Sequence, residues 1–233
     1  MRVSSVGAGV VAICLSAVPA LLTPASAAKE ASPSKEQQVV DDARKTWEDF
    51  AASPVLSSEL HDFMRGVKGF LIVPHIIRGA AVVGAEGGRG VLLVRDAKTG
   101  EWSNPAFYTV RHLSFGLQIG GDVSQTVFVI WSQKGLEKFY GSQVKLGIDM
   151  GVAAGPMGGG MALEGLTADL FVYTRAKGAF VGTALKGGRI AVAEKSNQAY
   201  YGRPVKPTDI LVEKTVSNPQ AQALRTAVAE LIK

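Results

Sequence analysis

Glycine punctuates β-type runs along most of this chain, and that spacing restricts the possible fold more than any other feature. Residues 79–96, 114–131, 144–161 and 177–192 each combine short runs of β-branched, aliphatic and aromatic residues with closely set glycines. Glycine reaches positive φ and lets backbones approach closely, so such runs belong to tight turns, bulges and bends of a curved sheet. Little catalytic chemistry accompanies them. The pattern describes a scaffold, and the question becomes what surface it presents.

Composition supports a folded scaffold. Of 233 residues, 47% are hydrophobic and 19% charged, which is a globular balance. The first residues read as a secretory signal. Arg2 supplies a short positive region, Val6 to Leu22 is mostly apolar, and Pro24-Ala25-Ser26-Ala27 supplies an A-x-A cleavage site. The expected organisation is a signal peptide over 1–27, a polar linker over 28–35 and one domain over 36–233. The sole cysteine, Cys14, lies inside that signal. Ile13 before it is wrong for a lipobox, so Cys14 is an ordinary apolar residue and the chain is not a lipoprotein. The mature chain then has neither disulfide nor thiolate metal site. Loss of Arg2 lowers the formal net charge from +5 to +4, a mildly basic balance that permits attraction to polyanions. No later apolar run reaches the ~18 residues needed to span a bilayer. The expected location is periplasmic or secreted, peripheral to a membrane.

The periodicities place helices at the ends and strands between. Ser34 to Gln37 fits a capping box, and Val40, Ala43, Trp47 and Phe50 share one helical face. Ser53-Pro54 breaks that helix. Leu56, Leu60, Phe63, Met64 and Val67 predict a second, ended by Gly66 and Gly69. Strands are expected from Gly69 to Val73, with Pro74 interrupting, then over 80–85 and 90–95, joined by a Glu86–Arg89 turn. Asp96 to Gly100 is a polar turn. Further strands are expected over 102–112, 115–121 and 126–131, then a short helix over 132–140. Val144, Leu146, Ile148, Met150 and Val152 predict one buried strand face, with Lys145 and Asp149 opposite. Strands over 168–174, 179–185 and 189–194 follow. Asn218-Pro219 caps a final helix with the stripe Ala221, Leu224, Val228 and Leu231. Strands that run consecutively without alternating helices predict an α+β fold. Its sheet is strongly curved and mainly antiparallel, or a partial barrel, with two N-terminal helices and one C-terminal helix.

Most chemical motifs fail on inspection. The Glu86-to-Gly90 segment lacks the Gly-Lys-Ser/Thr ending and following helix of a phosphate loop, and Gly116 to Gly121 fails the dinucleotide pattern. His61, His75 and His112 stand apart, outside any zinc-binding spacing. No G-x-S-x-G elbow anchors a triad. Asp149 and Asp169 read as exposed polar or turn residues. The segment from Tyr173 to Phe180 stands out, because two cations and two aromatics meet at a glycine turn. Its cations are either solvated turn residues or contacts for a lipid phosphate, with Phe180 touching acyl chain.

A set of ordered motifs adds a resemblance. Lys68-Gly69, Gly87-Gly88-Arg89-Gly90, Trp102-Ser103-Asn104-Pro105, Gly116-Leu117-Gln118-Ile119-Gly120 and Ala153-Ala154-Gly155-Pro156 come first. Tyr173-Thr174-Arg175-Ala176-Lys177-Gly178-Ala179-Phe180-Val181-Gly182, Asn197-Gln198-Ala199-Tyr200-Tyr201-Gly202 and the Pro219…Leu224…Leu231 helix complete the set. With them the chain resembles the SYLF family of lipid-binding domains from about Lys68 to Leu231. The resemblance implies a curved β-scaffold with flanking helices and no established enzymatic activity. Eukaryotic relatives bind phosphoinositides, some yeast members bind actin, and bacterial members are typically exported. The N-terminal segment that meets membranes in eukaryotic relatives corresponds in place to Gln38–Phe50. Here that segment carries Asp41, Asp42, Glu48 and Asp49 and is not a basic interfacial helix.

The expectation is therefore an exported, non-enzymatic protein without a cofactor. It would touch anionic phospholipid through Lys68, Arg78, Arg175 and Lys177, with Phe180 as an apolar contact. Nucleic acid is not an expected partner. The alternatives are an envelope structural or protein-interaction module with a protein partner, and a cryptic hydrolase.

Overall fold

The computed structural model describes residues 33–53, 63–78, 86–111, 114–115, 124–156, 167–176, 178–182 and 185–232. The expected signal segment, the strand expected over 80–85 and most of the second helix (56–67) and of the strand expected over 115–121 lie outside the described residues. Helix α1 spans Lys35–Ala51. Ser34 caps it, its Oγ accepting from the Gln37 N–H at 3.1 Å. The capping box is only half formed. The Gln37 side chain donates instead to Asp41 (2.8 Å) and accepts from Tyr200 Oη (3.2 Å), because tertiary neighbours bury it.

Among the described residues eleven strands follow: β1 Gly69–Arg78, β2 Glu86–Val94, β3 Ala106–Arg111, β4 Ser114–Phe115, β5 Ser124–Ile130, β6 Gln143–Lys145, β7 Val152–Ala154, β8 Leu170–Ala176, β9 Ala179–Gly182, β10 Leu185–Lys186 and β11 Arg189–Val192. Helix α2, Gln133–Lys138, sits between β5 and β6, and α3 (Glu194–Tyr201), α4 (Pro207–Leu211) and α5 (Gln222–Leu231) close the chain. Nine strands build one strongly curled, open half-barrel in the order β6-β11-β3-β2-β1-β5-β8-β7, with β9 also on β8. Every pairing in it is antiparallel except β7 with β8. The α+β expectation therefore holds.

Both faces of this sheet carry a buried core, each under different partners. On one face Phe70, Ile72, Val91, Phe107, Val129 and Tyr173 pack under Trp47 and Phe50 of α1 and Leu224 and Val228 of α5. The Trp47 indole N–H donates to Ala227 O at 2.9 Å and ties the two helices together. On the other face Leu71, Val73, Phe128 and Val172 meet Leu136 and Phe139, Val144 of β6, and Ile210 and Leu211 of α4. The curl lets distant strands cover each other's inner side.

Several local expectations give way to long-range contacts. Pro74 does not end β1; the strand runs on, with a register shift between Ile72 and His75 against β2. A bulge is where a sheet tolerates a residue without an N–H. Glu86–Arg89 is strand, not turn. Its glycines are required by close approach: a Cβ on Gly88 would lie 2.2 Å from His75 O, and one on Gly90 2.4 Å from Ile72 O. The 144–152 alternation is not one strand. It breaks at Gly147, φ +78°, into a turn that leaves Ile148 outside. The helices α3 and α4 were not expected. Helix α3 begins after Ala193, which offers no side-chain cap.

Candidate functional site

The residues expected to meet lipid do not form one patch. Lys68 precedes β1 and Arg78 ends it, so the two sit at opposite ends of a ten-residue strand. Lys177 lies outside the described residues, as does the Arg78 side chain. Arg175 forms an ion pair with Asp49 of α1, donates to Gln125 Oε1 at 2.8 Å and reaches Gly178 O at 3.4 Å. Phe180 is corrected outright. It is only 3% exposed and its ring packs edge-on against Phe50 at 5.2 Å, so it belongs to the core and not to an acyl contact.

The hairpin around them is a structural joint. Gly178, φ +86°, turns β8 into β9. The outer edge of β8 is shared, with β7 on Leu170–Val172 and β9 on Tyr173–Ala176. Where those strands meet, Gly155 and Gly182 abut: a Cβ on Gly182 would lie 2.0 Å from Gly155 O. The Tyr173 ring covers Gly155 and its hydroxyl donates to Pro156 O at 2.8 Å. Burial pushes that phenol well above its ordinary range.

Register assembles a different set of cations. Ile77 pairs with Gly87, Gly87 with Arg111, Arg111 with Arg189 and Arg189 with Lys145, which makes one register row that follows the curl across β1, β2, β3, β11 and β6. Directly paired residues share a sheet face. The row lies on the helix-covered face, two residues beyond the adjacent row His75, Arg89, Thr109, Ala191 and Gln143. The bulge at Pro74 matters here, because it shifts the parity of β1 and brings His75 and Ile77 onto this face.

The two rows differ in their compensation. Under α1, Arg89 has Glu36 at 3.9 Å and His75 has Asp42 at 3.2 Å. Beyond α1, the exposed side chains of Arg111, Arg189 and Lys145 have no ion pair among the described residues. Like charges directly opposite across strands are destabilising, by roughly 0.2–1 kcal/mol a pair. These three line a groove of about 580 Å³ together with Thr109, Gln143 and Ile148. Ile148, 80% exposed, lies at the edge of the cations, and Ile77, 60% exposed, lies two strands from Arg111. The sequence placed Lys145 on a polar strand face, but only register could bring it beside Arg189 and Arg111.

The carboxylates serve as joints. Asp169 accepts from the Ser132 hydroxyl and from the Gly151 N–H, the latter at 2.9 Å, while Ser132 Oγ caps α2 by accepting from Gly135. Burial alone would raise the Asp169 carboxyl, but these donors and the charges of Lys134 and Lys138 outweigh it and hold it low. Asp149 folds back to accept from the Lys145 N–H at 2.7 Å. Among the described residues no group of His, Cys, Asp and Glu could hold a metal ion. None of their helices is long and apolar enough to cross a membrane.

Comparison with known proteins gives consistent matches. The profile of the family described as Ysc84, Las17-binding protein actin regulator, matches residues 111–231. SH3 domain-containing YSC84-like protein 1 of Homo sapiens is 32% identical over 162 residues, covering 67% of this chain and 46% of that protein. Its counterpart in Mus musculus is 31% identical over 159 residues, covering 66% and 46%. LAS seventeen-binding protein 3 of Saccharomyces cerevisiae (strain ATCC 204508 / S288c) is 28% identical over 148 residues, covering 60% and 32%. The match thus spans less than half the length of each of these curated relatives.

Proposed function

Because the chain belongs to the Ysc84, or SYLF, family, we propose that it is a non-enzymatic docking module whose exposed cationic row engages anionic phospholipid. The observation that carries this reading is the register row Arg111–Arg189–Lys145, which lacks acidic partners among the described residues. Strands lie about 4.8 Å apart, so the three positions span about 10 Å, enough to face more than one lipid phosphate. A basic residue near an anionic membrane contributes about 1 kcal/mol. Three together contribute about 3 kcal/mol, on the order of a hundredfold in affinity. The row accepts a local cost in stability, which is what a binding surface does when its partner supplies the missing charge. The signal read at residues 1–27 accompanies this proposal, as export would bring the domain to an envelope membrane.

The test is cosedimentation with phosphatidylglycerol vesicles at low salt. The triple variant R111Q/K145Q/R189Q is expected to bind about a hundredfold more weakly than the wild type. Equal binding by both removes the row from the interface.

One observation favours a second reading. A relative's name says that it binds LAS seventeen, so the same groove could instead receive an acidic segment of a protein. That reading predicts no vesicle binding and a specific partner in crosslinking.

A further inference from the structure

Resting on the anionic-lipid reading, we infer that Ile148 enters the interfacial layer of the bilayer beside the cationic row. The site then sets one apolar prong against a strip of charge. Among the described residues three large apolar side chains are exposed, Ile77, Ile148 and Val212, and of these Ile148 lines the cationic groove. Ile77 lies four strands from Lys145 around the curl and faces another direction.

The turn that carries Ile148 is built for such contact. A loop can enter a low-dielectric layer only if its backbone donors are satisfied internally. Here the Gly147 N–H donates to Met150 O at 3.1 Å, and those of Ile148 and Asp149 donate to Lys145 O at 3.3 and 2.9 Å. Gly147 supplies the positive φ that closes the turn. Asp149, the one acid in it, is turned back onto the Lys145 N–H. The tip therefore presents an isoleucine on a rigid, internally bonded loop, next to the Lys145 ammonium. The groove that Ile148 lines also contains Arg111 and Arg189, so insertion and phosphate contact occur at one place.

The experiment uses the full chain with Cys14 replaced by serine, which leaves no other cysteine. Ile148→Cys carries an environment-sensitive fluorophore, and Lys195→Cys, exposed on α3, carries it as a control. Both are mixed with vesicles of phosphatidylglycerol and phosphatidylcholine in equal parts. The expected result is a blue shift and lipid-borne quenching at position 148 but not at 195. In parallel, Ile148→Ser is expected to weaken binding about tenfold with its salt dependence unchanged. Vesicle binding with no shift at 148 and no loss in Ile148→Ser overturns the insertion and leaves the lipid reading standing. Absence of any vesicle binding by the wild-type chain overturns both.

Discussion

Replacing Arg189 with glutamine separates a binding surface from a structural one. Arg189 is the middle of the row, directly opposite Arg111 on one side and Lys145 on the other. Each like-charge pair costs roughly 0.2–1 kcal/mol. Solvent and salt screen exposed side chains, so relief of both pairs should stabilise the domain by about 0.5–1 kcal/mol. For a domain of this size that raises the thermal midpoint by about 1–4 °C. The same change removes about 1 kcal/mol of attraction to an anionic surface, close to a fivefold loss in affinity. Thermal melts and vesicle cosedimentation on one preparation read both quantities. Both effects should shrink at high salt, where exposed charges are screened over a few ångströms. Arg175→Gln is the contrast: it loses the Asp49 ion pair and the Gln125 hydrogen bond, so it should lower the midpoint and leave vesicle binding unchanged. A less stable Arg189→Gln protein with undiminished binding refutes the reasoning.

Three further outcomes follow from the packing. Gly182→Ala forces a methyl group to within 2.0 Å of Gly155 O where β7 and β9 meet on β8, and should cost about 3 kcal/mol in denaturant unfolding. Asn197 is fully buried and holds the backbone of Phe107 at both ends, accepting from its N–H at 2.8 Å and donating to its carbonyl at 3.2 Å. Asn197→Ala should therefore cost about 2–4 kcal/mol, measured in the same way. The Lys214 ammonium, with the Thr99 and Lys98 amides, holds the Asp96 carboxyl well below the usual carboxylate range. Its contribution to stability is thus complete above the ordinary carboxylate pKa and is lost only as pH falls through the lower folded value. An NMR titration should show Asp96 protonating below the ordinary carboxylate range, and Lys214→Met should move it back upward.

Signals confined to a few residues were legible in the sequence. Ser34 caps α1 as its side chain predicts, accepting from the N–H three residues on, whereas Asn218 caps a 3-10 turn, Pro219–Ala221, that leads into the uncapped α5. The stripe Val40, Ala43, Trp47 and Phe50 is buried along one face. The curled, mainly antiparallel sheet follows from glycine spacing and from strands in succession. What failed depended on partners far along the chain. Gly87 and Gly88 look like a turn, yet the carbonyls of the two neighbouring strands demand them. Ile148 fits a buried alternation, yet Gly147 turns it outward. Helix α3 offers no cap, and α4 has only five residues. The cationic row was invisible for the same reason. Arg111, Lys145 and Arg189 are scattered over 79 positions, and only cross-strand register brings them together. Arg175 and Phe180 are close in sequence beside a glycine turn, and the fold uses both to seat α1.

The most direct measurement is the partition of the wild-type protein onto phosphatidylglycerol and phosphatidylcholine vesicles over a series of salt concentrations. The account predicts binding to the anionic vesicles alone, weakening steadily as salt rises. Binding to both lipids regardless of salt, or to neither, contradicts it.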